Sequence, residues 1–428
     1  MSKDRVLSGM RPTGFMHLGH YHGALKNWVS LQSQHECFYF VADWHALTSH
    51  YDDPRVIEQS TFDMVTDWLA AGLDPNQCTI FLQSQVPQHA ELTVLLGMIT
   101  PLGWLERVPT YKEQQENLKE KDLTTYGFLG YPLMQAADIV VYRAQHVPVG
   151  EDQVSHLEIT REIARRFNHI YGREPGFEEK AAAAVKKLGG KLGKQYEAMK
   201  TAYNQDGNAE ALAQAKSLVG AAGSLSNAEK DMLQAFLTGA RKTILPEPQA
   251  LLTPTSKIIG LDGRKMSKSY GNGIDLREPP AAVEQKIKRM PTDPKRARRT
   301  DPGNPDDCPV WTLHQVYSND DTKAWVRQGC TTAGIGCLEC KQPVIDAVNA
   351  ELAPMQARIR EIEAKPGYVK DVLANQRRWE DSAGGIFTRR PGVFVDEQQL
   401  AVRGTSASAD RDARPARANP GPNPPRKD

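Results

Sequence analysis

Lys265, Ser267, Lys268 and Ser269 place two ammonium groups and two hydroxyls within five residues, in the run Asp262-Gly263-Arg264-Lys265-Met266-Ser267-Lys268-Ser269-Tyr270-Gly271-Asn272. Glycines on both sides let the backbone move, and the donors together can grip a polyphosphate while its charge redistributes. A Lys/Ser-rich loop by itself is ordinarily a solvated turn. Its counterpart near the N-terminus changes the weighing: Arg11-Pro12-Thr13-Gly14-Phe15-Met16-His17-Leu18-Gly19-His20. His17 and His20 stand at i and i+3 on an expected helix start, where backbone N–H groups and the helix dipole favour an anion. Gly19 between them has no side chain, so an adenine ring or ribose can approach the backbone. A random His-x-x-His is more often a pair of surface or core imidazoles. Two phosphate grips in one chain argue for chemistry on a nucleotide.

The elements that must position these groups alternate between strand and helix. Arg5–Gly9 reads as a short strand running into the Pro12/Gly14 turn, and a helix is expected from Gly19 to about Gln34. Cys37–Ala42 and Cys78–Gln83 are apolar runs of strand length, followed by helical patterns over Pro54–Ala71 and Gln88–Thr100. This alternation predicts an α/β fold with a doubly wound parallel sheet, which binds nucleotides outside the carboxyl ends of its strands. The Arg11–His20 turn falls there. A Gly-x-Gly-x-x-Gly fingerprint is absent, which disfavours a nicotinamide enzyme. The predicted organisation is a Rossmann-like catalytic domain over 1–176, a helical insertion over 177–247 and a return to the catalytic domain with the Lys/Ser loop over 248–278. A helical domain over 279–403 and a disordered tail rich in Arg, Pro, Ala and Ser over 404–428 complete it.

A chain of 428 residues is long enough for several cores, and 53 basic against 52 acidic side chains leave no global field for nucleic acid. The start Met1-Ser2-Lys3-Asp4 lacks a signal-peptide pattern and no run is long enough to span a membrane, so a cytoplasmic enzyme is expected. Cys37 and Cys78 sit in strand-like runs as small buried hydrophobes. Cys308, Cys330, Cys337 and Cys340 crowd into 33 residues, which in a reducing compartment suggests a metal, either structural zinc or an iron–sulfur cluster.

Four segments carry a resemblance: Leu7-Ser8-Gly9 with Arg11–Gly14, Asp43-Trp44-His45-Ala46-Leu47-Thr48, Tyr131-Pro132-Leu133-Met134-Gln135-Ala136-Ala137-Asp138, and Val147-Pro148-Val149-Gly150-Glu151-Asp152-Gln153. Across 4–400, apart from the insertion, the chain resembles the bacterial tryptophanyl-tRNA synthetases, with His17–His20 and Lys265–Ser269 matching the two signature motifs of class I aminoacyl-tRNA synthetases. The resemblance implies activation of L-tryptophan by ATP with Mg²⁺, then transfer to tRNA-Trp by a homodimer. It implies ATP contacts at Arg11, Pro12, Thr13, Gly19, His20, Gly150, Glu151, Asp152, Ile258, Lys265, Met266, Ser267, Lys268 and Ser269, with His17, His20, Lys265 and Lys268 catalytic. Asp138 would accept the indole N–H, a fitting task because indole is donor-only and a buried carboxylate accepts strongly. Tyr131 and Gln153 would hold the amino and carboxyl groups, with Gln135, Val147, Val149 and Leu7 around the ring. The chain departs from the family pattern at Arg11, where many relatives carry Gln, and at Gln135, where many carry Met.

A subset of this family resembles the Gly-Cys-Thr-Thr-Ala-x-Ile-Gly-Cys-x-x-Cys segment here, which implies a 4Fe–4S cluster on Cys308, Cys330, Cys337 and Cys340 ahead of zinc. Seven basic residues in the fourteen from Lys286 to Arg299 stand next to this module and suggest contacts to RNA phosphates. Alternatives are a tyrosine-specific relative, a cofactor adenylyltransferase with the same His-x-Gly-His turn, and a non-catalytic RNA-binding paralogue. The last commonly loses motif residues, whereas His17, His20, Lys265 and Lys268 are all present.

Overall fold

A computed structural model of the chain describes residues 3–109, 124–150, 154–172, 176–206, 208–239, 244–252, 258–267 and 270–374. Five strands, β1 (Arg5–Met10), β2 (Glu36–Val41), β3 (Cys78–Leu82), β4 (His146–Val149) and β5 (Gln249–Leu252), form one sheet in the order β3-β2-β1-β4-β5. Every pair is parallel. The fold is therefore the doubly wound, Rossmann-like α/β class. β2 is buried at every position after the first, as a strand covered on both faces should be. The winding reverses between β1 and β4, which opens a crevice beyond their carboxyl ends.

The helix after β1 is not continuous. A short α1 (Leu18–His20) passes through a π turn at Tyr21–Leu25 before α2 (Lys26–Leu31) resumes α geometry. Trp28 on α2 stacks on Tyr39 of β2 at 4.6 Å and meets Trp68 edge-on at 5.2 Å, and the Tyr39 hydroxyl donates to the Trp28 carbonyl at 3.0 Å. All three rings are fully buried, so they lock the helix to the sheet. Next come α3 (Asp43–His50), α4 (Arg55–Ala71), α5 (Gln88–Gly97), α6 (Leu102–Glu106), α7 (Tyr126–Val141) and α8 (Val154–Tyr171). Cys37 and Cys78 are buried neighbours on paired strands.

Four further helices, α9 (Phe177–Lys187), α10 (Gly190–Asp206), α11 (Ala209–Ala221) and α12 (Asn227–Thr238), build a core of their own from Ala181, Ala184, Tyr196, Val219, Leu233 and Leu237. Alanines let the helices approach closely, and the Tyr196 hydroxyl donates to the Leu233 carbonyl at 2.6 Å. Asn208 and Ser226 cap α11 and α12 with their side chains.

The chain then returns through β5 and continues as α13 (Pro280–Arg289), α14 (Pro309–Tyr317), α15 (Asp320–Thr331), the 27-residue α16 (Cys337–Glu363) and α17 (Tyr368–Ala374). One hydrophobic cluster joins Val6 and Trp68 of the sheet layer to Ile287, Val344, Leu352 and Met355 of these helices. Polar ties run along the same seam. The Glu351 carboxylate accepts from His22 Nε2 at 2.8 Å and from the Tyr317 hydroxyl at 2.9 Å, so α16 is fastened to the π turn. Among the described residues no helix is long and apolar enough to cross a membrane. The expected tail over 404–428, and 375–403 of the helical domain, lie outside the described residues.

Candidate active site

The His17–His20 turn and the base of the Lys265–Ser267 loop meet. Backbone pairing brings them together: Leu18 N–H donates to the Ile274 carbonyl at 3.0 Å and Leu276 N–H to the Met16 carbonyl at 2.9 Å. His17 forms an isolated antiparallel bridge with Asp275. The imidazoles of His17 and His20 stack at 3.7 Å, with His17 buried and His20 partly open. Across from them, Gly19 N–H donates to the Met266 sulfur at 3.3 Å. A Cβ at Gly19 would stand 2.9 Å from the His17 ring and 3.2 Å from Met266 Cβ, so only glycine permits this approach.

Asn272 holds the base of the Lys/Ser loop. Its carbonyl oxygen accepts from Ser267 N–H at 2.8 Å, and its amide donates to Asp262 at 2.7 Å and to the Lys265 carbonyl at 3.1 Å. Asn272 and Arg264 hold the Asp262 carboxyl down at about 2. Lys265 is exposed, while Ile258 and Met266 are buried beneath it.

Beyond this turn a cavity of about 220 Å³ opens, lined by Gly9, Arg11, Phe40, Ala42, His45, Thr48, Tyr131, Gln135, Asp138 and His156. Tyr131, Gln135 and Asp138 occur at i, i+4 and i+7 of α7 and so share one helix face. Gly9 admits the Phe40 ring, because a Cβ there would stand 2.6 Å from it. Arg11 sits at the solvent-open side of the cavity.

Asp138 is the deepest polar group, 1% exposed. Oδ2 accepts from His45 Nε2 at 2.7 Å, and Oδ1 accepts from Gln83 Nε2 at 2.8 Å and His89 Nδ1 at 2.5 Å. Burial opposes ionisation, but the two imidazoles outweigh it and hold the carboxyl well below the usual carboxylate range. A carboxylate offers about four acceptor positions. Three are occupied by described residues, and the fourth, on Oδ2, has no partner among them.

Arg11, Tyr131, Gln135 and Asp138 line the cavity, and His17, Gly19, His20, Met266 and Ser267 form the adjoining turn and loop. Pro12 and Thr13 connect β1 to that turn. Leu7, Val147 and Val149 lie on β1 and β4, and Gly150 just after β4. None of these four is among the cavity-lining residues. Glu151, Asp152, Gln153, Lys268 and Ser269 lie outside the described residues. Sequence reasoning gave no role to His45, Gln83, His89 or Asn272. Only His45 carried a signal, through its place in Asp43–Thr48.

Several side chains of the basic run also make contacts within the fold. Lys286 pairs with Glu278 at 2.7 Å, Lys288 with Glu284, and Lys295 with Asp307 at 2.7 Å. Arg296 is buried and donates to the carbonyls of Arg299 and Ile335, while Arg299 donates to those of Ala333 and Gly334. These cations fold the segment that carries the cysteines.

Cys308, Cys330, Cys337 and Cys340 are free thiols of intermediate burial. Burial, then the neighbouring thiols of Cys308, Cys330 and Cys337, push the Cys340 thiol up to about 12. A Cβ at Gly303 would stand 2.7 Å from the Cys330 sulfur, so glycine makes room beside it. Among the described residues no group of three or more His, Cys, Asp or Glu side chains is arranged to hold a metal ion.

With this geometry in place, comparison with known proteins is informative. The family model described as tRNA synthetases class I (W and Y) matches residues 2–202 and 228–353, leaving a gap within α11 and its flanks. A tryptophan–tRNA ligase of Ralstonia nicotianae is 63% identical over 375 residues, covering 88% of this chain and 94% of its own. One from Thermotoga maritima is 45% identical over 371 residues, covering 86% and 92%. Among solved structures, the tryptophanyl-tRNA synthetase of Campylobacter jejuni complexed with ADP and tryptophan gives a TM-score of 0.64 at 25% identity, covering 89% of this chain and 96% of that one.

Proposed function

Because this chain belongs to the class I tRNA synthetases of the tryptophan and tyrosine family, we propose that it is a tryptophan–tRNA ligase. A carboxylate oxygen of L-tryptophan attacks the α-phosphorus of ATP, the bond to the bridging oxygen breaks, and pyrophosphate leaves. A terminal ribose hydroxyl of tRNA-Trp then attacks the acyl carbon of the adenylate and AMP departs. The transition state of the first step is dispersed negative charge, so the protein contributes position and electrostatics.

The single observation that carries the reading is Asp138, a buried anion lining a polar cavity with one acceptor position open among the described residues. An indole N–H supplies the one donor this site lacks. Tyr131, Gln135 and Arg11 line the path from there to the imidazoles, where His17 and His20 face the phosphates. Lys265, with Lys268 beside it in sequence, follows the pyrophosphate, and Mg²⁺ enters as part of MgATP. Pro12, Thr13, Gly150, Glu151, Asp152 and Ile258 serve the nucleotide, Gln153 the amino acid, and Leu7, Val147 and Val149 support the ring pocket from the sheet. Pyrophosphate exchange across all twenty amino acids tests this. Tryptophan should dominate, and a preference for tyrosine would overturn the substrate assignment.

The finer organisation belongs to the same proposal. Residues 1–176 and 248–278 form the catalytic domain, 177–247 the insertion and 279–403 the anticodon-binding part. Val94, Leu95, Met98 and Leu102 expose a contiguous run of apolar side chains around the end of α5, suited to a homodimer contact. Light scattering of the purified chain would measure that assembly. Four thiols in one basic, glycine-relieved neighbourhood suit a soft, thiolate-bound group, and Cys308, Cys330, Cys337 and Cys340 would hold a 4Fe–4S cluster, which would supply a covalent staple between α14, α15 and α16. A cytoplasmic location accords with free thiols of this kind.

A further inference from the structure

His89 is completely buried and lies outside the cavity, yet it touches the group at the cavity's end. Nδ1 donates to Asp138 Oδ1 at 2.5 Å, and Nε2 stands 2.9 Å from the Tyr142 hydroxyl. Burial and the nearby Asp138 charge keep Tyr142 protonated. Both ring nitrogens of His89 are thereby engaged, Nε2 by the Tyr142 hydroxyl and Nδ1, which carries a proton, by the Asp138 carboxylate. Phe40 and Phe81 lie against the His89 ring at 5.9 and 6.2 Å, so its plane cannot swing.

Resting on the reading of Asp138 as the ring acceptor, we infer that His89 is a positioning residue which selects a donor-only N–H on the substrate ring. It does so by anchoring Asp138 as an anion with its one open acceptor site turned into the cavity. The chemistry is that of subtraction. The ring N–H groups of His45 and His89 that approach the ligand's end of the pocket are both spent on Asp138. An indole N–H finds an acceptor there and has no acceptor of its own to satisfy. A phenol can donate to the same carboxylate, but its oxygen then finds the His45 and His89 N–H groups already committed, and an isostere without an N–H leaves the carboxylate unmatched. Without His89, Oδ1 loses a charge-assisted partner and the carboxylate can turn, so the distinction weakens.

The experiment compares tryptophan with its benzothiophene analogue, in which sulfur replaces the ring N–H, by pyrophosphate exchange on the full chain. The wild type should favour tryptophan in kcat/KM by roughly 10- to 100-fold. His89→Leu should bring that ratio to within about threefold of unity, mainly by raising KM for tryptophan, with KM for ATP unchanged. His89→Asn, which keeps an N–H in reach of Asp138, should restore much of the ratio. If His89→Leu does not fold, Tyr142→Phe gives the reading, because freeing Nε2 should lower the ratio by several-fold. A large wild-type ratio that survives in His89→Leu, or in Tyr142→Phe where that variant stands in, overturns the inference. A wild-type ratio near one would instead show that Asp138 does not read the ring, and the premise itself would fall.

Discussion

Gly19 and Met266 touch through a backbone N–H and a thioether sulfur 3.3 Å apart, although 247 residues separate them in sequence. Each belongs to one of the two segments proposed to face the phosphates, so this contact sets the spacing of the two. Gly19→Ala places a methyl group against the His17 ring and Met266 and forces the segments apart. Pyrophosphate exchange should fall roughly 10- to 100-fold, as expected for a displacement near 1 Å. Tryptophan binding measured without ATP should be unchanged.

Asn272 ties Asp262, Lys265 and Ser267 of the Lys/Ser loop together with one side chain. Asn272→Ala leaves the Ser267 N–H and the Lys265 carbonyl without these partners, at a cost of about 1–3 kcal/mol. Urea denaturation should register that loss. Exchange should drop at least tenfold while KM for tryptophan holds, because the cavity around Asp138 is untouched.

Asp67 is 1% exposed and accepts from Arg277 at 2.8 Å. Burial drives its carboxyl up from 3.8 to about 6, against the pull of Arg277 and the Met16 N–H. Between those values the folded chain holds a proton that the unfolded chain has released. Stability from this group is therefore full at low pH and declines as pH rises toward 6, by up to about 3 kcal/mol, then levels off. Asp67→Asn cannot ionise, so its denaturation midpoint should vary less than the wild type's between pH 4 and 6.5. Parallel profiles for the two proteins would contradict the assignment.

Replacing Cys337 and Cys340 with Ser removes two thiols at the start of α16. Anaerobically purified wild type should contain iron and acid-labile sulfide and absorb near 400 nm, about the range of thiolate-bound clusters. The double variant should lose all three signals and impair tRNA charging more than adenylate formation. A colourless wild type holding zinc would decide for the other metal.

The sequence made some of this visible because the information was local. The parallel sheet followed from strand and helix alternation, and Tyr131, Gln135 and Asp138 came from the family resemblance of the Tyr131–Asp138 segment, which the structure puts on one helix face. The His17 turn and the Lys265 loop were legible as donors. What stayed hidden depends on residues distant in sequence. His45, Gln83 and His89 reach Asp138 across 93, 55 and 49 residues and from three different elements. Nothing in their own neighbourhoods marks them as partners of one carboxylate. The internal partners of the Lys286–Arg299 run stayed hidden for the same reason, since carboxylate and carbonyl partners cannot be read from a count of charges.

The π turn at Tyr21–Leu25 fixes a phase. An α-helix advances about 100° per residue, and a π turn accommodates one residue more than an α turn. The imidazoles before the turn and the Trp28–Leu31 core stripe after it are thus offset by about that angle from an unbroken helix. Excising any one residue from Tyr21–Leu25 would let the helix anneal, rotating His17 and His20 away from Lys265 while every active-site side chain stayed chemically intact. In this stretch the number of residues is as much a catalytic requirement as their identity, and single-residue deletion there should be as damaging as loss of a histidine.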